Sequence, residues 1–471
     1  MGEKLIYNSG KMIQLPLKLI ARSTNKMISK KTRLVELLAG DLNFHNSDSL
    51  YASHNFHSFP AKFPPQLPRV FIENLTNQNG VVLDPMMGSG TTIIETLIAN
   101  RNCIGFDIDP LAILIARVKT TPVDPSEIMV ITKKVISESK SLFDNGLDYL
   151  KEYYFENWDS KTRDFIDYWF DEITKYQLLS LIFFINKIQK ESLKNFLKVA
   201  FSSIIITKNG GVSLALDLAH TRPHRAKYVK SQDGTVIIDK VESEQINSYT
   251  SKSIRSPFNE IEKKVINNLK GILPQSINTR SLILGNTQNS PLANNSVDLI
   301  VTSPPYASNA IDYMRAHKFS LIWFGYSIEY LSQKRDEYIG GELTKQCAFE
   351  PLPKFTESIV QEISNVDAKK GLVLRRYYSE MTRTIREMYR ILKNDSAAIV
   401  VVGSSIMRNI DTQTQLCLAE IGKSSGFDVP KIGIRYIDRN RRMLPTSKKV
   451  DLESQIQKRM HEEYVIGLYK D

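Results

Sequence analysis

At 471 residues, 42% hydrophobic and 24% charged, the chain has the composition of a soluble globular protein and enough length for two or three structural units. A net charge of +11 and a pI near 9.2 favour a polyanionic partner, nucleic acid before membrane. Cys103, Cys347 and Cys417 form no CxxC pair, which excludes a zinc ribbon or disulfide framework. No signal h-region, myristoylation pattern or apolar run of ~20 residues appears, so a reducing, cytoplasmic setting is expected and no membrane span.

Residues 1–50 read as a basic, irregular arm, with cations scattered from Lys4 to Arg33. From 51 to 122, an aromatic, proline-rich stretch (HNFHSFPAKFPPQLP) leads into a short helix, RVFIENL. VVLDPMMGSGTT then gives a strand, a glycine turn and a helix start, and NCIGFDIDPLAILIARVKT gives a second strand, an acidic end and a second helix. Such alternation predicts a parallel sheet with helices on its faces. It then stops for about 155 residues, too many for a loop. Residues 125–205 carry dense apolar helical faces, and 206–256 are polar, basic and turn-rich; 123–278 is read as an inserted helical and basic domain. SLILGNT and VDLIVTSPPY resume the sheet from 279. A second irregular stretch covers roughly 327–372, and YYSEMTRTIREMYRILK is an amphipathic helix with Met381, Ile385, Met388 and Leu392 on one face. AAIVVVGSS is a buried strand, and KIGIRYIDR and EYVIGLYK form an antiparallel pair at the sheet edge.

Two motifs carry chemistry. In DPMMGSGTT, Gly88 and Gly90 allow a tight turn and close ligand approach, and Ser89, Thr91 and Thr92 can cap the helix. No lysine follows the second glycine and no third glycine completes a dinucleotide fingerprint, so this is neither a phosphate loop nor a dinucleotide site. Asp84 at the strand end suits a cationic ligand, and Asp107, ending the next strand, suits ribose hydroxyls. In TSPPY, Pro304 and Pro305 end sheet pairing and make a stiff turn at the carboxyl end of a strand, where open α/β sheets bind ligands.

Together, DPMMGSGTT and TSPPY resemble the S-adenosylmethionine-dependent DNA amino-methyltransferases, the N4-cytosine and N6-adenine group, over about 51–122 and 281–471. The resemblance implies a Rossmann-like methyltransferase sheet, mostly parallel with an antiparallel edge strand, carrying a large, mainly helical insertion. It implies S-adenosylmethionine as cofactor, double-stranded DNA as substrate and no metal. Lys62 and Phe63 would lie beside the methionine moiety. Asp84, Pro85, Gly88, Ser89 and Gly90 would line it, with Thr91 and Thr92 at the helix start. Asp107 would hold the ribose, Ile108 would pack on adenine, and Asn286 stands where the family often has an aspartate near the adenine amino group. Ser303 and the Pro304 carbonyl would accept hydrogen bonds from the target amine, Pro305 would fix that geometry, and Tyr306 would stack on a flipped base.

C5-cytosine chemistry needs a Pro-Cys nucleophile, which this chain lacks. Serine in the first position of the motif leans towards cytosine N4; adenine N6, an RNA amine and a catalytically silent DNA-binding relative remain as alternatives. A prokaryotic restriction–modification role, with a cognate restriction endonuclease, is what the resemblance implies. Arg222, Arg225, Lys227 and Lys230 in the insert and Arg439, Arg441 and Arg442 near the last strands are candidate phosphate contacts. His220 and His224 flank Pro223, which favours a basic loop over a zinc site. Target recognition falls to 123–278 or to 307–376, or to both. Cys103, Trp323 and Phe324 are read as core.

Overall fold

The computed structural model describes residues 28–59, 62–207, 211–218, 223–240, 250–307, 313–341, 347–437 and 462–471, with the backbone of a strand pair at Tyr7–Asn8 and Lys11–Met12. Seven strands form the central sheet: β1 (Val81–Asp84), β2 (Asn102–Asp107), β3 (Arg280–Leu284), β4 (Val297–Thr302), β5 (Leu392–Val402), β6 (Asp428–Tyr436) and β7 (Glu462–Lys470). Their order is β3-β2-β1-β4-β5-β7-β6. All neighbours pair in parallel except β7, which runs antiparallel to both β5 and β6. This is an α/β methyltransferase-type sheet, and the antiparallel strand sits second from the edge.

Period-two alternation divides the apolar runs between two covered faces, which is why VDLIV and AAIVVV are almost continuously hydrophobic. Val82, Leu299, Val301, Ile399, Val401 and Val465 face α1 (Lys30–Ala39) and α2 (Gln66–Leu75). Leu83, Ile300, Ala398, Val400, Val402 and Ile466 face α13 (Lys354–Val366), α14 (Ala368–Ile391) and α15 (Thr414–Ser424). Helices α3 (Thr91–Ile98) and α4 (Pro110–Thr120) follow β1 and β2, and Cys103 is buried between them.

Two stretches read as irregular are helical. α1 starts at the Ser29 cap, whose hydroxyl accepts from Thr32 N–H, and buries Leu34 and Leu38, a single i,i+4 pair that scattered lysines obscure. Within 327–372, α12 (Ile328–Arg335) and α13 bury Leu331 and Thr356, Ile359, Val360 and Ile363. The amphipathic helix α14 also begins ten residues before YYSEM, at the Asp367 cap, and Leu392 already starts β5.

Between α4 and β3 stand α5 (Pro125–Asn145), α6 (Leu147–Asn157), α7 (Ser160–Trp169), α8 (Glu172–Asn186), α9 (Glu191–Ile205) and α10 (Pro257–Leu269). A three-stranded sheet (Tyr228–Lys230 between Val236–Asp239 and Ser251–Ser253) lies between α9 and α10. The apolar core of these helices is continuous with Leu111, Ile115 and Val118 of α4 and with Phe319 and Trp323 in and after α11 (Met314–Leu321). Trp323 is fully buried. Among the described residues no helix is long and apolar enough to cross a membrane.

Candidate active site

The sheet reverses its winding between β1 and β4, so the carboxyl ends of these strands open a crevice. Asp84 ends β1 and Ser303 follows β4, and both line one open cavity, about 920 Å³ with the solvent space at its mouth included. Two hydrogen bonds tie the loops beneath it. Thr302 Oγ1 donates to Asp84 Oδ1 at 2.7 Å, and Thr92 Oγ1 donates to the Val301 carbonyl at 3.3 Å. The glycine turn is thereby joined to the strand that carries TSPPY.

The turn depends on its glycines. Gly88 and Gly90 have φ of +49° and +82°, and a Cβ on Gly90 would stand 3.0 Å from Ala116 Cβ. Asp107 spans the two loops: its Oδ2 accepts from Gly88 N–H at 2.8 Å and its Oδ1 from Asp109 N–H at 2.9 Å. Burial raises Asp84 to about 6, and burial together with the neighbouring Asp109 raises Asp107 to about 7. Burial works in the same direction on Asp109, yet contact with His317 Nδ1 at 2.5 Å leaves that carboxyl below its ordinary value. Lys62 faces the cavity with Nζ bonded to the His54 carbonyl at 3.0 Å; burial, then the nearby Lys264, lowers it to about 8.

Of the residues expected at the cofactor, Lys62, Phe63, Asp84, Pro85, Gly88, Ser89, Thr91, Asp107, Ile108 and Asn286 line the cavity. Gly90 shapes the turn behind it, and Thr92 is buried against β4. Asn286 Oδ1 accepts from Gln288 N–H at 3.0 Å. Ser303 and Pro305 reach the cavity, Pro304 is buried beside them, and the Tyr306 hydroxyl donates to Glu463 Oε1 at 2.9 Å.

Several lining residues escaped the sequence reading. Phe59 and Tyr313 stack with centroids 5.1 Å apart, and Asp109, Glu337, Tyr338 and Ile339 complete the wall. Phe59 and Asp109 lie inside quoted stretches, FPAKFP and GFDID, but gave no separate signal. Tyr313 and Glu337–Ile339 carry no motif; only the fold brings them here.

Residues 23–117 match the model of the N6/N4 DNA methylases, described as DNA methylase. Over that stretch, about a fifth of its length, the chain is similar to the N6/N4 DNA methylases. A Type II methyltransferase, M.MvaI of Kocuria varians, is 25% identical over 401 residues, 81% of this chain and 83% of the relative. M.BsoBI of Geobacillus stearothermophilus is 22% identical over 71% of this chain and 65% of its own length. M.MjaII of Methanocaldococcus jannaschii is 35% identical over 92 residues, 20% of this chain and 17% of the relative.

The family's cofactor is S-adenosylmethionine, and the cavity's chemistry fits it. Asp107 offers a carboxylate for ribose hydroxyls, while Phe59, Met86 and Ile108 offer apolar surface for a purine. Among the described residues Ser89 Oγ is buried without a hydrogen-bond partner at the turn and Lys62 has no carboxylate partner, so a ligand carboxylate would satisfy both.

Of the basic candidates, Lys227 and Lys230 are exposed and unpaired among the described residues; Arg225 lies over the Tyr168 ring at 4.5 Å. Arg222, Arg439, Arg441, Arg442 and His220 lie outside the described residues. No group of His, Cys, Asp or Glu suited to a metal occurs among the described residues.

Proposed function

We propose that this DNA methyltransferase transfers a methyl group from S-adenosylmethionine to the exocyclic N4 of a cytosine flipped out of double-stranded DNA. One observation carries the reading: Ser303 shares a cavity with Asp84, Asp107 and Lys62, and Thr302 joins the two motifs through Asp84. Serine as the first residue of the catalytic motif supports cytosine.

An exocyclic amine is a weak nucleophile because its lone pair is delocalised into the ring. Ser303 Oγ and the Pro304 carbonyl accept its two N–H groups and turn the lone pair towards the cavity, while the prolines hold the carbonyl's direction. Tyr306 stacks on the flipped base. The bound cofactor supplies an electrophilic methyl on a sulfonium. Asp107 holds its ribose, Lys62 and Ser89 its carboxylate, and Ile108 its adenine. Asn286, whose Oδ1 also accepts from Gln288 N–H, hydrogen-bonds the adenine edge. Lys227 and Lys230 contact phosphates. The Type II names of the relatives support a modification role beside a cognate restriction endonuclease.

The test is Ser303→Ala. Loss of one positioned acceptor is expected to cut transfer of tritiated methyl to unmethylated DNA by about 100-fold or more, with S-adenosylmethionine affinity within about threefold. Full retained activity would overturn the role of Ser303.

A further inference from the structure

Tyr306 is held at its hydroxyl and along one ring edge. Its hydroxyl donates to Glu463 Oε1 at 2.9 Å, and its ring edge lies so close to Gly403 that a Cβ there would stand 2.9 Å from Cε2. Gly403 directly follows β5, and Glu463 is the second residue of β7. Because β7 runs antiparallel, with Tyr464 opposite Val402, its first residues lie at the carboxyl end of the parallel strands, where the cavity opens. Glu463 is opposite Arg435 of β6 in register, and Arg435 Nη1 bonds Glu463 Oε2. Both side chains are largely buried, at 10% and 13% exposure, and Arg435 Nε is buried with no partner among the described residues.

A buried ion pair is weak evidence for stability, and an orphaned guanidinium N–H makes this one costlier. What the pair secures is an acceptor of fixed position for one phenol. Burial, then Glu463, pushes the Tyr306 hydroxyl well above its ordinary pKa, so it stays a donor.

We propose that Glu463, braced by Arg435, is a positioning residue: it fixes the ring plane of Tyr306 against Gly403, so that the flipped base meets a preset stacking surface. The inference rests on the stacking role of Tyr306 in the proposed function. Glu463 itself touches no reacting atom, and acts only through that hydroxyl.

The experiment is a double-mutant cycle on the full chain, read as tritiated methyl transfer to unmethylated plasmid DNA. Tyr306→Phe keeps the ring and removes the tether; Glu463→Ala removes the acceptor; Glu463→Gln keeps an acceptor oxygen. Tyr306→Phe and Glu463→Ala are each expected to lower kcat by about tenfold, with KM for S-adenosylmethionine within about twofold. The double variant is expected to be no worse than either single one, and Glu463→Gln to recover to within about threefold of wild type. Multiplying losses in the double variant, or wild-type kcat in Tyr306→Phe, would overturn the proposal. Should Glu463→Ala fail to fold, Glu463→Leu, which also removes the acceptor, takes its place in the cycle and decides by the same criterion. Tyr306→Ala separates the two layers: its full activity would refute the stacking role, whereas its loss beside an active Tyr306→Phe would refute only the tether.

Discussion

Replacing Asp84 by asparagine is expected to move stability and cofactor affinity in opposite directions. Asp84 is 2% exposed, and burial raises its pKa from 3.8 to about 6 against the hydrogen bonds from Thr302 and Met86. The folded protein therefore binds this proton more tightly than the unfolded chain. Wild-type stability falls as pH climbs from about 4 through about 6 and does not recover above it. That difference corresponds to at most about 3 kcal/mol at pH 8. Asparagine carries no charge to desolvate, and its oxygen can still accept from Met86 N–H, 3.2 Å away, and from the Thr302 hydroxyl. The ligand-free variant is thus expected to be more stable by about 1–3 kcal/mol at pH 8, the gain vanishing below pH 4. The same charge attracts a cationic ligand, so S-adenosylmethionine is expected to bind about 5- to 30-fold more weakly. Urea unfolding at pH 4, 6 and 8, with calorimetric titration of S-adenosylmethionine, measures both effects. A variant less stable than wild type at pH 8, or one binding the cofactor as well as wild type, would refute the reasoning.

Lys62→Met is expected to raise the Kd for S-adenosylmethionine about tenfold, and to leave unchanged the Kd for an analogue lacking the carboxylate, both by calorimetry. Glu95, fully buried, accepts from Tyr51 at 2.7 Å, His54 at 2.7 Å and Arg69 at 2.6 Å. Glu95→Ala strands those donors and is expected to cost about 3–5 kcal/mol in urea unfolding. The double variant Lys227→Ala/Lys230→Ala is expected to weaken DNA binding and to flatten the slope of log K against log salt by about 2 in a fluorescence-anisotropy series, with cofactor affinity unchanged.

Sequence legibility followed the physics of each element. VVLD, VDLIV and AAIVVV announce buried parallel strands because both their faces are covered, and the glycine turn is visible because its φ values admit little else. Leu34 and Leu38 of α1 escaped because one i,i+4 pair among scattered lysines makes a faint stripe. Within the site, Asp84 and Asp107 end strands, Ser303 directly follows one, and all three could be placed by position alone. Phe59, Tyr313 and Ile339 reach the cavity through tertiary packing, which leaves no local pattern. Glu463 is a further case: its partner Tyr306 is 157 residues away and meets it only because β7 returns antiparallel beside β5.

The central claim concerns the acceptor atom. Expression in a bacterial host free of DNA methylation, followed by nucleoside mass spectrometry of the host DNA, reads that atom directly. N4-methylcytosine that disappears with Ser303→Ala is the predicted result. N6-methyladenine would contradict the choice of base, and unmodified DNA beside a chain that binds S-adenosylmethionine would contradict the account.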